Sequence, residues 1–254
     1  MKLTGNTILI TGGGSGIGEA LAHRFHDQGN TVIIAGRRMD TLRRVAAGRS
    51  NMHALQLDVE SAEGTADFAR RLLAAHPELN VLINNAGIMR FETLDRSRDL
   101  ADSEATISTN LLGPLRLTNA LIDHLVSQSG ATIVNVTSGL AFVPLVMTPT
   151  YTATKAAIHA YTVAMREALK GKVEVIELVP PAVQTGLTPG QESRPGYLPL
   201  DEFADEVMTL FARQPTPREI LVERVGFLRF AEGEGRFDEA LAKLNAFEAR
   251  GGAA

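Results

Sequence analysis

With 254 residues, 44% of them hydrophobic and 21% charged, the chain has ordinary globular composition, which sets aside disordered, collagen-like and repeat classes. A net charge of −4 offers none of the basic excess that a nucleic-acid surface needs. Because there is no cysteine, disulfides and thiolate metal sites are excluded. The opening MKLTGNTILITGGG has one lysine, a short apolar run and then glycines, too short and glycine-rich for a secretory signal. No stretch approaches the roughly 20 apolar residues of a membrane span. A cytoplasmic protein with neither membrane nor nucleic-acid partners is expected.

In chain order, β-branched or apolar runs at 7–11, 31–35, 53–57, 80–84, 131–137, 172–179 and 219–223 read as strands. Segments 17–28, 62–75, 102–128, 152–169 and 201–213 between them carry apolar residues at helical spacing. Apolar strands alternating with helices predict an α/β fold. The expectation is a single-domain, Rossmann-type, doubly wound parallel sheet of about seven strands, helices on both faces, over residues 1–254. Segment 180–199 holds five of the eleven prolines and reads as a substrate lid. At 236–250, Phe237, Leu241, Leu244 and Phe247 share one face of a C-terminal helix that docks on the domain or a sister subunit.

The first strand runs into Thr11-Gly12-Gly13-Gly14-Ser15-Gly16-Ile17-Gly18, which opens the first helix. Glycines there let the backbone turn sharply toward a pyrophosphate, received by free amides and the positive end of the helix dipole. The contacts expected from this turn are Gly12, Gly14, Ser15, Gly16, Ile17 and Gly18. Its T-G-x-x-x-G-x-G spacing resembles that of the short-chain dehydrogenase/reductase family. After the second strand, Gly36 stands where an NAD-preferring enzyme carries an acid, and Arg37 and Arg38 follow with charge and forked donors suited to a 2′-phosphate. NADP(H) is the expected cofactor; the alternative is that the arginines only solvate a helix start and NAD(H) is accepted too. The resemblance further implies that Asp58 and Val59 meet the adenine, although Asp58 alone reads equally as a helix cap. It also implies that Asn85, Ala86 and Gly87, in the Asn-Asn-Ala-Gly segment, lie beside the adenosine ribose.

Tyr151 and Lys155 stand at i and i+4 on one helix face. Moving a phenol from a pKa near 10 to neutrality takes about 4 kcal/mol, and one positive charge at ~4 Å in a dielectric of ~20 contributes about that much. Ser138 ends the fifth strand, thirteen residues before Tyr151, on the side where strand ends and helix starts gather. The pattern predicts a carbonyl oxygen between the two hydroxyls, polarised by Ser138 and protonated by Tyr151 as hydride arrives from a nicotinamide. A proton relay through Lys155, with Asn110 holding a water, is implied by the resemblance; a buried Asn110 satisfied by neighbouring backbone reads the same from sequence. The resemblance also places Pro180, Val183 and Thr185 at the nicotinamide, with Pro181 replacing the usual glycine and putting the local backbone in doubt. That substitution, PLDEF at 199–203 and the ILVERVGFLRFAEGEGRFD ending resemble a bacterial DltE-like branch.

The function expected is therefore an NADPH-dependent carbonyl reductase or alcohol dehydrogenase acting on a small-molecule carbonyl or alcohol. Its substrate pocket is expected to be lined by Leu140, Phe142, Val143, Leu145, Val146, Met147, Leu187 and Tyr197, which favours hydrophobic or aryl ketones over polyols. Two other readings remain: a binding protein that keeps the fold as a redox sensor or scaffold, and a related epimerase or dehydratase. The former loses Tyr151 or Lys155 and the latter adds a substrate domain. The six histidines are scattered without a carboxylate pair, so no metal site is expected. A homodimer or homotetramer through the long helices is implied by the resemblance. The sequon at Asn135 lies in a strand pattern and is not expected to be used.

Overall fold

A computed structural model describes residues 1–251; residues 252–254 of the expected domain lie outside the described residues. The chain alternates β1 (Thr7–Thr11), α1 (Gly16–Asp27), β2 (Thr31–Gly36), α2 (Met39–Ala46), β3 (Met52–Gln56), α3 (Ala62–Ala75) and β4 (Val81–Asn84). It continues through α4 (Ala101–Ile107), α5 (Gly113–Ser127), β5 (Thr132–Val136), α6 (Pro149–Ala168) and β6 (Glu174–Val179). The last elements are α7 (Leu200–Phe211), β7 (Glu219–Leu221), the single turn α8 (Gly226–Arg229) and α9 (Phe237–Gly251). All seven strands form one parallel sheet in the order β3-β2-β1-β4-β5-β6-β7. This is the doubly wound sheet that the alternation predicts.

Successive strand residues enter different cores, which is why the runs are apolar without interruption. Ile8, Ile10, Val32, Ile34, Val81 and Ile83 pack on one face with Leu21 and Phe25 of α1, Leu42 of α2 and Phe203 and Phe211 of α7. Leu9, Ile33, Leu82 and Ile133 turn to the other face and meet Phe68 and Leu72 of α3, Leu117 and Leu121 of α5 and Met165 of α6. The expected strand and helix bounds agree with these elements to within about three residues, except that segment 102–128 is divided into α4 and α5 by a π turn at Ser108–Leu112, and with two additions. Helix α2 buries only Leu42 and Val45 in eight residues, too short a stripe to stand out, and α8 is four residues long.

Inside the sheet, Asn84 Nδ2 donates to Thr118 Oγ1 (3.1 Å) and Asn135 Oδ1 (2.9 Å), and Asn135 Nδ2 donates to Thr162 Oγ1 (2.9 Å). These bonds fasten β4 and β5 to α5 and α6, and they bury the Asn135 sequon. Segment 180–199 closes on itself: Gln184 N donates to Leu198 O (2.9 Å) and Leu198 N to Ala182 O (3.0 Å). Helix α9 packs Phe237, Leu241 and Leu244 around Val143 and Ala231, on its own domain.

Candidate active site

The sheet reverses its winding between β1 and β4, and a crevice opens at their carboxyl ends. Two cavities of about 340 Å³ each meet there and share Gly12, Ser15, Arg37, Arg38, Ala86 and Gly87. Gly12 has a φ of +68°, and a Cβ on it would lie 2.9 Å from Ala86 Cα, so the first turn and the end of β4 touch only because the position is glycine. Thr11 Oγ1 accepts from Asn85 N and Ala86 N, both at 3.0 Å, fixing that contact. Gly14, Asp58 and Val59 line the cavity beside β2 and β3, while Gly16, Ile17, Asn85, Pro180, Val183 and Thr185 line the one toward α6.

Two of the selected residues stand behind these walls. A Cβ on Gly18 would lie 2.3 Å from Gly12 O, so this glycine seats α1 against the turn and does not face the crevice. Asn110 occupies a π turn, Ser108–Leu112, between α4 and α5. Its Oδ1 accepts from Ile88 N (2.9 Å) and its Nδ2 donates to Ile88 O (2.8 Å), the backbone clamp left open by the sequence. Asp58 is not the cap of α3: Ser61 Oγ accepts from Gly64 N (3.0 Å) in that role, and Asp58 Oδ1 accepts from Glu60 N (3.1 Å). Glu60 also lines the β2–β3 cavity, its Oε1 3.5 Å from Arg37 Nη1 and accepting from Thr109 Oγ1 at 2.7 Å. Glu60 arrives from the turn after β3, so no acid at the end of β2 signals it in the sequence.

Ser138, Tyr151 and Lys155 come together, all buried, where the crevice meets α6. The expected electrostatics of the pair needs correction. Lys155 Nζ lies 5.5 Å from the centre of the Tyr151 ring and donates to Val136 O at 2.8 Å. Both groups are withdrawn from solvent, so burial opposes the charged form of each. Burial then decides the outcome. It pushes the phenol up to about 12, against a smaller opposing pull from the Ser138 hydroxyl, and drives the ammonium down to about 8.

Glu92, which the sequence did not single out, anchors the start of α6. It accepts from Thr150 N (3.2 Å) and Thr150 Oγ1 (2.8 Å), next to Tyr151, and from Ser103 Oγ (2.6 Å) and Arg98 Nη2. Burial opposes its ionisation, but the bonds from Ser103, Arg98 and Thr150 outweigh burial and hold its pKa below the usual carboxylate range. Its local signal was one acid in an irregular stretch, with partners 6, 11 and 58 residues away.

A third cavity, about 90 Å³, opens on the other side of Ser138 and Tyr151. Leu140, Leu145, Leu187 and Tyr197 line it as expected, joined by Leu228, Leu244 and Glu248. Phe142, Val143, Val146 and Met147 are not among its walls. Val143 is buried beneath α9, Phe142 packs edge-on to His159 at 4.7 Å, and Val146 is 66% exposed. Pro181 lines both crevice and cavity without strain, since among the described residues only glycines take positive φ.

Comparison with known proteins decides the family. A family model described as short chain dehydrogenase matches residues 6–195. The chain belongs to that family. The enzyme is 38% identical to the uncharacterized oxidoreductase DltE of Bacillus subtilis (strain 168), over 98% of its own length and 100% of the relative's, which places it in the DltE-like branch. It is 33% identical to the serine 3-dehydrogenase of Agrobacterium fabrum, over 72% of this chain and 74% of the other. Among solved structures it resembles a short chain dehydrogenase from Burkholderia cenocepacia J2315 in complex with NADP, with a TM-score of 0.80 and 27% identity, covering 96% of this chain and 99% of that one. The enzyme is an NAD(P)-dependent oxidoreductase. No helix among the described residues is long and apolar enough to cross a membrane.

Proposed function

We propose that the enzyme uses NADPH to reduce a small, largely apolar ketone or aldehyde, with Tyr151 as general acid. The observation carrying this reading is that Ser138 and Tyr151 each line both the dinucleotide crevice and the apolar cavity, so one oxygen can meet both hydroxyls at their boundary. The crevice suits the cofactor: Gly12, Ser15, Gly16 and Ile17 would hold the pyrophosphate, Asp58 and Val59 the adenine, Asn85, Ala86 and Gly87 the ribose, and Pro180, Val183 and Thr185 the nicotinamide end. When bound, the nicotinamide supplies the hydride.

Ser138 Oγ donates to the carbonyl oxygen and draws charge toward it. Tyr151, protonated at neutrality because burial holds its pKa near 12, gives up its proton as the alkoxide forms. Lys155 returns a proton to Tyr151, and Asn110, whose Oδ1 keeps a second acceptor position beside the one that Ile88 N fills, holds water for that relay. Arg37 and Arg38 line both halves of the crevice and select a 2′-phosphate, in line with the NADP named for the Burkholderia cenocepacia structure. The enzyme works as a homodimer or homotetramer, whose contacts cover Ile107 and Leu112, exposed at the junction of α4 and α5, and Val163, exposed on α6.

The cavity revises the expected substrate. At about 90 Å³ it is smaller than the apolar cavity of about 150 Å³ that admits benzene, so short aliphatic carbonyls replace aryl ketones as the favoured class. The test is a carbonyl panel followed by loss of NADPH absorbance. Short ketones are expected to turn over faster than aryl ketones and polyols, and the reverse order overturns the assignment.

A further inference from the structure

Besides Ser138 and Tyr151, the substrate cavity carries a second polar group in its wall, and the chain builds it from two distant segments. Glu248 on α9 and Tyr197 at the end of 180–199 both line the cavity, and both are buried. Tyr197 OH donates to Glu248 Oε1 (2.8 Å) and lies 3.0 Å from Oε2, while Arg194 Nη2 pairs with Oε2 at 2.8 Å and also donates to Glu248 O at 3.1 Å. The Arg194 guanidinium lies 5.0 Å from the Tyr197 ring centre, so three side chains lock together.

A carboxylate offers about four acceptor positions. The one Tyr197 hydrogen takes an acceptor on Oε1 and Arg194 takes one on Oε2, so the Glu248 carboxylate, which lines the cavity, keeps acceptor capacity, including a second position on Oε1. The other buried polar group there is committed: Gln191 Nε2 donates to Val183 O (2.8 Å) and Thr185 Oγ1 (3.1 Å), and its Oε1 accepts from Thr188 (2.8 Å). An unfilled acceptor in a low-dielectric pocket is costly, so the cavity discriminates in favour of a ligand that brings a donor. Charge narrows the class. Arg194 already neutralises Glu248, so an ammonium would meet a second cation at close range, whereas a neutral hydroxyl would not.

We infer that Glu248 is a specificity-determining residue and that the substrate is a short, uncharged hydroxycarbonyl compound, its hydroxyl remote from the carbonyl and donating to Glu248 Oε1. Leu140, Leu145, Leu187 and Leu244 enclose the short alkyl segment between the two ends. The small cavity volume, about 90 Å³, keeps that segment short. The inference rests on the carbonyl-reductase reading and adds the group that reads the substrate's other end.

The test compares 4-hydroxy-2-butanone with its isostere 2-pentanone and with 4-amino-2-butanone, using the full-length enzyme and NADPH. The wild type should prefer the hydroxyketone to 2-pentanone in kcat/KM by at least about tenfold, the scale of a hydrogen bond to a charged group, and should discriminate against the ammonium compound. Glu248→Met keeps the approximate length but offers the hydroxyl neither a strong acceptor nor a donor, so the preference should fall below about threefold. NADPH affinity, measured by fluorescence titration, reports that the variant is folded; Tyr197→Phe, which loosens the same carboxylate, should also lower the preference. A wild type that reduces ketones without favouring the hydroxyl, prefers the ammonium compound, or keeps its preference in both variants overturns the inference and leaves the reductase reading standing. No NADPH consumption with any carbonyl compound in the wider panel overturns the reductase reading itself.

Discussion

The dinucleotide crevice and the substrate cavity meet at Ser138 and Tyr151 but are assembled in different ways. Much of the crevice wall comes from turns at the carboxyl ends of β1, β2, β3 and β4, each contributing a few consecutive residues. The cavity wall draws on residues 89, 138–145, 151, 180–197, 228 and 244–248, brought together by segments packed across long sequence separations. Geometry in the first region is imposed locally by glycine turns and strand ends. In the second it depends on long-range contacts such as Glu248 with Tyr197, 51 residues apart.

This contrast predicts that damage at the shared boundary has the largest effect. Tyr151→Phe removes the proton donor while sparing the crevice, so kcat for reduction should fall by about 10²–10⁴-fold with NADPH affinity nearly unchanged. Steady-state rates and fluorescence titration check both halves, and substantial residual turnover would require another donor. On the crevice side alone, Arg37→Ala with Arg38→Ala should bring a wild-type NADPH-to-NADH ratio of kcat/KM above about tenfold down to about one. An unchanged ratio would remove the arginines from cofactor choice.

Lys155 links function to a stability cost. Its folded pKa of about 8 lies below its ordinary 10.5, so burying its charge opposes folding fully below pH 8, and stability is regained as pH rises from 8 toward 10.5. At about 1.4 kcal/mol per pH unit the penalty is about 3 kcal/mol. Lys155→Met should therefore be inactive yet about 2 kcal/mol more stable than the wild type at pH 7, once the lost bond to Val136 is counted. Denaturation at pH 7 and at pH 10 measures the gap, which should shrink at the higher pH.

Glu92→Gln should have the smallest effect, about 2 kcal/mol of stability and a severalfold lower kcat through a looser start of α6. The sign with pH follows from its lowered pKa: the stabilisation is present above the ordinary carboxylate range and disappears as pH falls through the depressed value. Melting curves should show the two proteins converging in acid.

The same contrast explains what the sequence could reveal. Seven strands and the turns after β1, β2 and β4 were legible because each is written in consecutive residues whose spacing alone determines a face or a turn. Helix α2 was not, having only Leu42 and Val45 to mark its buried stripe. The positions of Ser138, Tyr151 and Lys155 followed from helix periodicity and sheet topology, but their electrostatics did not, because burial depth is set by the whole packed structure. Glu60, Glu92 and Glu248 carry no local signal, and only folding brings Arg37, Thr150 and Tyr197 to them.

The central claim is direct hydride delivery to a carbonyl carbon held between Ser138 and Tyr151. Its sharpest measurement incubates the enzyme with a short ketone and NADPH deuterated at one face of nicotinamide C4, then with the other face deuterated, and examines the alcohol by mass spectrometry and NMR. One isotopomer should place a single deuterium on the carbinol carbon of one enantiomer, the other none. Deuterium absent from that carbon with both, while ketone is consumed, would contradict the account.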